Sequence, residues 1–149
     1  MDSQRVREFC RNLRRLECLA VAQLREDSSS HGITVAQCYC LLAVEQLGRP
    51  SQNEVAEWLC LDKSSLSRTV EGLVRTGFLV RSRDVRDRRA YRLSLTEQGE
   101  KTCGAVNGTN DAVYAKALDQ QTMDPEKVVA VLAAMVHALA EVKGGTFKP

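Results

Sequence analysis

Two sets of side chains in this sequence have the chemistry to define a function. The first is a run of cations: Lys63, Arg68, Arg75, Arg81, Arg83, Arg86, Arg88, Arg89 and Arg92 stand against Asp62, Glu71, Asp84 and Asp87. The whole chain of 149 residues carries a formal charge of only +2, so outside this run it is net acidic. Positive charge gathered on one segment of a mildly acidic body is the footprint expected for a polyanionic partner; the bland alternative is a solvated face. The second set is six cysteines, Cys10, Cys18, Cys38, Cys40, Cys60 and Cys103, with His31 and His137 the only histidines. They contain no C-x-x-C pair, so a closed zinc site is not expected, and no cofactor is implied. No catalytic histidine pairing or redox-enzyme motif accompanies them, which argues against a thiol enzyme.

The elements that must position these residues follow from size and patterning. A chain of 16.5 kDa fits one domain, 1–149, and 44% hydrophobic with 27% charged residues is an ordinary globular balance. No apolar run approaches the roughly 18 residues that span a bilayer, and Met1 to Arg15 lacks the apolar stretch of a signal peptide. A soluble cytoplasmic protein with no membrane partner is expected, its cysteines held as thiols in a reducing compartment.

Val6, Phe9, Cys10, Leu13, Leu16, Ala20 and Leu24 recur at three- and four-residue intervals, predicting an amphipathic helix over about 3–27 that Asp27, three serines, His31 and Gly32 interrupt. Thr34 with Gln37 reads as a capping box opening a second helix that stops near Gly48-Arg49-Pro50, and Ser51 with Glu54 repeats the device for a short third. Asp62 is a good N-cap for a fourth, with Leu61 placed to staple onto Leu66. In that helix Leu66, Val70, Leu73 and Val74 form one stripe, opposite Ser64, Arg68, Glu71 and Arg75, and Gly77 is suited to end it. From Phe78 to Ser82 and from Ala90 to Leu95 the period changes to two, predicting a hairpin in which Phe78 and Val80 on one strand and Tyr91, Leu93 and Leu95 on the other alternate with polar residues, with a charged loop from Arg83 to Arg89. Thr96 caps a helix toward Ala117 that Gly99, Gly104 and Gly108 weaken. Asp124 and Pro125 open a last helix, apolar around much of its circumference and closed by Gly144-Gly145. The fold class is therefore mainly α with a small β-hairpin.

Two short helices joined by a tight turn and followed by a charged hairpin make physical sense as a reader of duplex DNA. A helix fits the major groove, about 12 Å wide, and the hairpin reaches a neighbouring minor groove. Ser64, Ser65, Ser67 and Arg68 then lie at the helix start that meets DNA. Hydroxyls and backbone amides there hold phosphates, and Arg68 has the fork that reads a guanine. Lys63 and Arg75 complete the candidate set on this helix. Arg83, Asp84, Arg86, Asp87, Arg88 and Arg89 form the candidate wing. A winged domain serving protein assembly, with the basic hairpin incidental, is the competing reading.

At these residues the sequence resembles the MarR family of bacterial regulators. The resemblance rests on Val55-Ala56-Glu57-Trp58-Leu59, Asp62-Lys63-Ser64-Ser65-Leu66-Ser67-Arg68, Leu73-Val74-Arg75-Thr76-Gly77-Phe78-Leu79, the wing pattern D-x-R-D-x-R over Asp84 to Arg89, and Leu93-Ser94-Leu95-Thr96-Glu97-Gln98-Gly99. It implies a winged helix-turn-helix core at about 34–96, with Arg86 at the wing tip in the minor groove and Asp84 and Asp87 bracing neighbouring arginines. It also implies N- and C-terminal dimerisation helices at about 3–27 and 97–143, and a homodimeric regulator, most often a repressor, on a pseudo-palindromic operator.

What such a regulator senses is read from the cysteines alone. A subset of the family, the organic-peroxide sensors of the OhrR type, uses a first-helix cysteine near the position of Cys10. This sequence departs from that subset: tyrosines hold the reactive thiolate there, whereas Arg14 and Leu24 occupy the corresponding neighbourhood here and no tyrosine precedes Tyr39. Arg7, Arg11 or Arg14 would instead favour a thiolate. The alternative for Cys10 is a small hydrophobe in the stripe with Val6, Phe9 and Leu13. Cys10, Cys18 and Cys38 stand as the candidate sensor thiols, a soft metal or metalloid as an alternative effector, and a small lipophilic ligand as the third.

Overall fold

The computed structural model describes residues 2–84 and 91–144. In chain order these form α1 (Ser3–Ser30), α2 (Val35–Leu47), α3 (Gln52–Trp58), α4 (Lys63–Arg75), β1 (Leu79–Arg83), β2 (Tyr91–Leu95), α5 (Glu97–Gln120) and α6 (Pro125–Val142). The chain divides into two compact units, Met1–Asn110 and Asp111–Pro149, with the division falling inside α5.

Side chains that satisfy the first free amides set the helix starts. Thr34 and Gln37 form a reciprocal capping box on α2, and Ser51 and Glu54 do the same on α3. Asp62 accepts from the Ser65 amide at the start of α4, and Asp124 caps α6 ahead of Pro125. Left-handed glycines follow four helices: Gly32 (φ +68°) after α1, Gly48 (φ +56°) after α2, Gly77 (φ +81°) after α4 and Gly144 (φ +69°) after α6.

Three expectations need correction. α1 does not stop at Asp27 but continues through Ser30. The serine hydroxyls turn back onto the helix: Ser28 and Ser29 donate to the Arg25 carbonyl and Ser30 to that of Asp27, so they reinforce the turn they were expected to break. In the hairpin the inward residue of β1 is Leu79, 2% exposed, while Val80 is 41% exposed. Phe78, also buried, precedes the strand, which shifts the inward phase by one residue. Finally, α5 runs unbroken past Gly99, Gly104 and Gly108 to Gln120, beyond the expected end near Ala117.

The core of the first unit gathers α2 at its centre. Cys38, Cys40, Leu41, Ala43 and Val44 of α2 are buried, so this helix is covered on several faces. Val55 and Ala56 of α3, Leu66, Val70 and Leu73 of α4, Leu93 of β2, and Cys103 and Val106 of α5 close around it. β1 and β2 pair antiparallel from Leu79↔Leu95 to Arg83↔Tyr91. Pro50 and Ser51 add to that sheet edge, the Leu93 amide donating to the Pro50 carbonyl at 2.8 Å.

The junction of hairpin and α5 is a backbone-to-backbone contact. The Phe78 carbonyl accepts the Thr96 amide at 3.1 Å, and the Thr96 hydroxyl donates to the Gly77 carbonyl at 2.6 Å while accepting from the Gly99 amide. A Cβ on Gly99 would overlap the same Phe78 oxygen, whereas one on Gly108 would meet nothing. Gly99→Ala should therefore destabilise the protein by about 1–3 kcal/mol, and Gly108→Ala should stabilise it by about 0.5–1 kcal/mol. Urea unfolding measures both; equal effects of the same sign would refute the close-approach argument.

Candidate nucleic-acid interface

α4 is rotated by what it buries. Leu66, Val70 and Leu73 are each fully buried, with Val74 half-buried beside them, and α4 lies against α2 and α3. At 100° per residue that stripe leaves Lys63, Ser64, Ser65, Arg68 and Arg75 exposed, with Ser67 half-buried at the margin. The expected recognition-helix residues are thus brought to the open side of one helix. Arg68 faces solvent.

The turn from α3 to α4 is tight. The Leu61 amide returns to the Ala56 carbonyl at 2.9 Å, Cys60 adopts φ +53°, and Asp62 follows as N-cap. The Asp62 carboxylate accepts from the Ser64 hydroxyl and from the Ser65 amide at 2.9 Å. These donors, Ser64 first, hold its carboxyl well below the usual aspartate range. Ser64 is therefore oriented by the cap, and Ser67 by its 3.1 Å bond to Glu71.

Of the expected wing, Arg83 and Asp84 lie within the described residues; Arg86, Asp87, Arg88 and Arg89, with Val85 and Ala90, lie outside them. Arg81 and Arg83 project from β1 and are exposed. At the wing base stands a group that the sequence did not single out. Arg92 Nε donates to Asp84 Oδ2, and Arg92 Nη1 donates to Glu54 Oε2 at 2.8 Å. The same Glu54 oxygen accepts the Ser51 amide at 2.7 Å. That bond, ahead of Arg92, lowers the Glu54 pKa. Arg49, in left-handed backbone at φ +56°, reaches from the other side to the Ser82 hydroxyl at 3.2 Å. Glu54 was legible as a cap and Arg92 as one cation among nine; nothing in their spacing of 38 residues announced that they pair.

Of the cysteines, Cys38 and Cys103 lie near enough to influence each other electrostatically. Among the described residues no three His, Cys, Asp or Glu side chains are grouped to hold a metal ion. Cys38, Cys40 and Cys103 are buried, Cys10 is half-buried, and Cys18 and Cys60 are exposed. Burial, with Asp27 adding to it, pushes the Cys38 thiol up to about 11. Burial likewise carries Cys40 and Cys103 to about 12. Arg7 and Arg14, expected near the Cys10 sulfur, send their Nε groups to the backbone carbonyls of Ser3 and Cys10.

A capped helix pair, a basic outer face on its second helix and an antiparallel hairpin behind it define a winged helix-turn-helix protein. The sequence model of the MarR family matches residues 31–90. The HTH-type transcriptional repressor MdtR of Bacillus subtilis (strain 168) is 25% identical over 119 residues, 80% of this chain and 77% of that protein. Among solved structures, CouR from Rhodococcus jostii RHA1 bound to p-coumaroyl-CoA superposes with a TM-score of 0.71 at 25% identity, covering 92% of each chain. A MarR mutant from E. coli complexed with operator DNA gives a TM-score of 0.72 at 21% identity, over 91% of this chain and 99% of that one. Over residues 31–90 the chain is thus similar to the MarR family, and its fold is that of solved MarR-family regulators.

Two predictions follow from the site chemistry. Because the Asp62 carboxyl is held ionised, its 13C resonance should remain unshifted as pH falls through the ordinary aspartate value of about 3.9. The cap's contribution is then lost only at still lower pH, and a midpoint near the ordinary value would contradict the capping geometry. An alkylating reagent at neutral pH should modify Cys60 while Cys38, Cys40 and Cys103 stay protonated and unmodified until the protein is unfolded. Peptide mapping reads the order, and early labelling of any of the three buried thiols would refute it.

Proposed function

We propose that the protein is a sequence-specific regulator of double-stranded DNA that acts as a homodimeric repressor. The observation that carries this reading is the exposed Lys63–Ser64–Ser65–Arg68 edge at the N-terminal end of α4, opposite a fully buried stripe. Backbone amides and hydroxyls at that end suit phosphates, and Arg68 suits a base edge in the major groove. Arg75, Arg81 and Arg83 extend the basic surface, and Arg86, at the wing tip by the family resemblance, would enter the adjacent minor groove. The repressor role is supported by the name of MdtR, and operator binding by the E. coli complex.

Homodimerisation is supported separately in each unit. On α1, Val6, Phe9, Leu13, Leu16 and Leu19 are between 39% and 53% exposed. On α6 no residue is buried, and Val129, Val131, Leu132 and Val142 are more than half exposed. Apolar helices left this open in water call for a covering surface, and a second copy supplies one while presenting two recognition helices to a palindrome. Residues 1–149 are read as one functional MarR-like domain, with the core at about 34–96 and dimerisation helices at about 3–27 and 97–143.

No helix among the described residues is long and apolar enough to cross a membrane, and a cytoplasmic location suits a DNA-binding repressor. Modulation by a small ligand is supported by the CouR complex. Oxidation at Cys10 or Cys18 is the second reading, since these thiols are the accessible ones of the three candidates.

Arg68→Ala and Arg86→Ala should each weaken binding to a duplex selected by the wild type from a random pool by about ten- to a hundredfold, with affinity falling steeply as salt rises. Anisotropy titration measures this, and sedimentation gives the dimer mass. Wild-type affinity in both variants would overturn the docking mode.

A further inference from the structure

The recognition helix and the wing touch a duplex at different grooves, so the relative placement of the two elements decides whether both can engage. A two-stranded hairpin five residues long in each arm is a weak structure by itself and requires a brace at its base. The described structure supplies that brace through one guanidinium. Arg92 lies on β2, opposite Ser82 of β1. Its Nε binds Asp84, where the chain leaves β1 for the wing, and its Nη1 binds Glu54, the residue that closes the capping box of α3. Glu54 Oε2 therefore holds the Ser51 amide and Arg92 together, and the Ser51–Arg92 backbone bridge and the Leu93–Pro50 bond run beside it.

The exposures sort the charges. The Asp84 side chain is only 12% exposed and that of Arg92 34%. Among the described residues, Arg92 is the one cation of the basic segment engaged in ion pairs, whereas Arg68, Arg75, Arg81 and Arg83 are exposed. A guanidinium can bridge two carboxylates in a fixed fork; an ammonium, a compact point charge, cannot hold both in the same geometry.

We propose that Arg92 is a positioning residue for DNA binding: without touching DNA, it clamps the first wing residue, through Asp84 and Glu54, to the first helix of the helix-turn-helix. This rests on the DNA-binding reading above. The clamp fixes Asp84 and β2 against α3 before binding, so its loss appears as an ordering cost when the hairpin meets DNA.

The test uses the full-length protein and a duplex selected by the wild type from a random pool, with anisotropy titrations, hydroxyl-radical footprints and thermal midpoints for Arg92→Gln, Arg92→Lys, Asp84→Asn and Glu54→Gln. Glutamine at 54 still accepts the Ser51 amide, so the α3 cap survives in that variant. Both Arg92 variants should lose affinity about tenfold, with weaker protection of the minor groove flanking the site and undiminished protection at its centre. Asp84→Asn and Glu54→Gln should lose part of the same affinity, and Arg92→Gln combined with Glu54→Gln should lose less than the sum. Wild-type affinity in Arg92→Gln overturns the proposal. So does a loss confined to Arg92 variants with Asp84→Asn and Glu54→Gln unaffected, which marks a direct phosphate contact. A uniform fading of the footprint in step with a lowered thermal midpoint also overturns it, as mere support of the fold. A wild type that selects no duplex overturns the DNA-binding reading itself, and is thereby distinguished from failure of the clamp alone.

Discussion

The burial of Leu66, Val70 and Leu73 is the constraint on which this molecule turns. Each is fully buried, and together they leave α4 one rotational setting about its axis. A helix turned by a single residue would move the stripe by 100° and bury a charged or hydroxyl side chain in its place, at a cost of several kcal/mol without a partner. The exposed positions of Ser64, Arg68 and Arg75 are thus a consequence of core packing and need no separate device. The two capping boxes and the Asp62 cap fix where the helices begin, the core fixes how they rotate, and between them they specify the outer face.

Charge in the basic segment serves two ends that composition alone merges. Arg92 is turned toward Asp84 and Glu54 and ties strand, wing base and helix together. Arg68, Arg75, Arg81 and Arg83 remain open. The division follows from location. A cation on the half-buried rim of the hairpin meets carboxylates whose desolvation it offsets, and one on an outward helix face meets only water until a polyanion arrives. The same logic separates the cysteines. Cys38, Cys40 and Cys103 act as small hydrophobes around the central helix, with burial holding them protonated.

Much of the fold was legible because its signals are local. Thr34 with Gln37, Ser51 with Glu54, Asp62 and the Asp124-Pro125 pair mark helix starts within a few residues of the amides they satisfy. The apolar stripe of α4 is a property of its own period. The errors arose where a local signal had two outcomes. A serine hydroxyl either breaks a helix or turns back onto it, and in Ser28, Ser29 and Ser30 it turned back. Alternation in a short strand leaves the inward phase open by one residue, and packing at the Phe78–Leu79 corner chose Leu79 over Val80.

By itself the sequence determined the element order, the caps, the helix-turn-helix and the gathering of cations on one segment, since each depends on residues within a turn or two of each other. Only the tertiary structure decided which cations are structural and which are open, which thiols are buried, and that the Gly99 backbone must press against the Phe78 carbonyl. Glu54 and Arg92 are 38 residues apart. Their pairing depends on where two separately formed elements come to rest, and that is set by the packing of the whole core rather than by any local pattern.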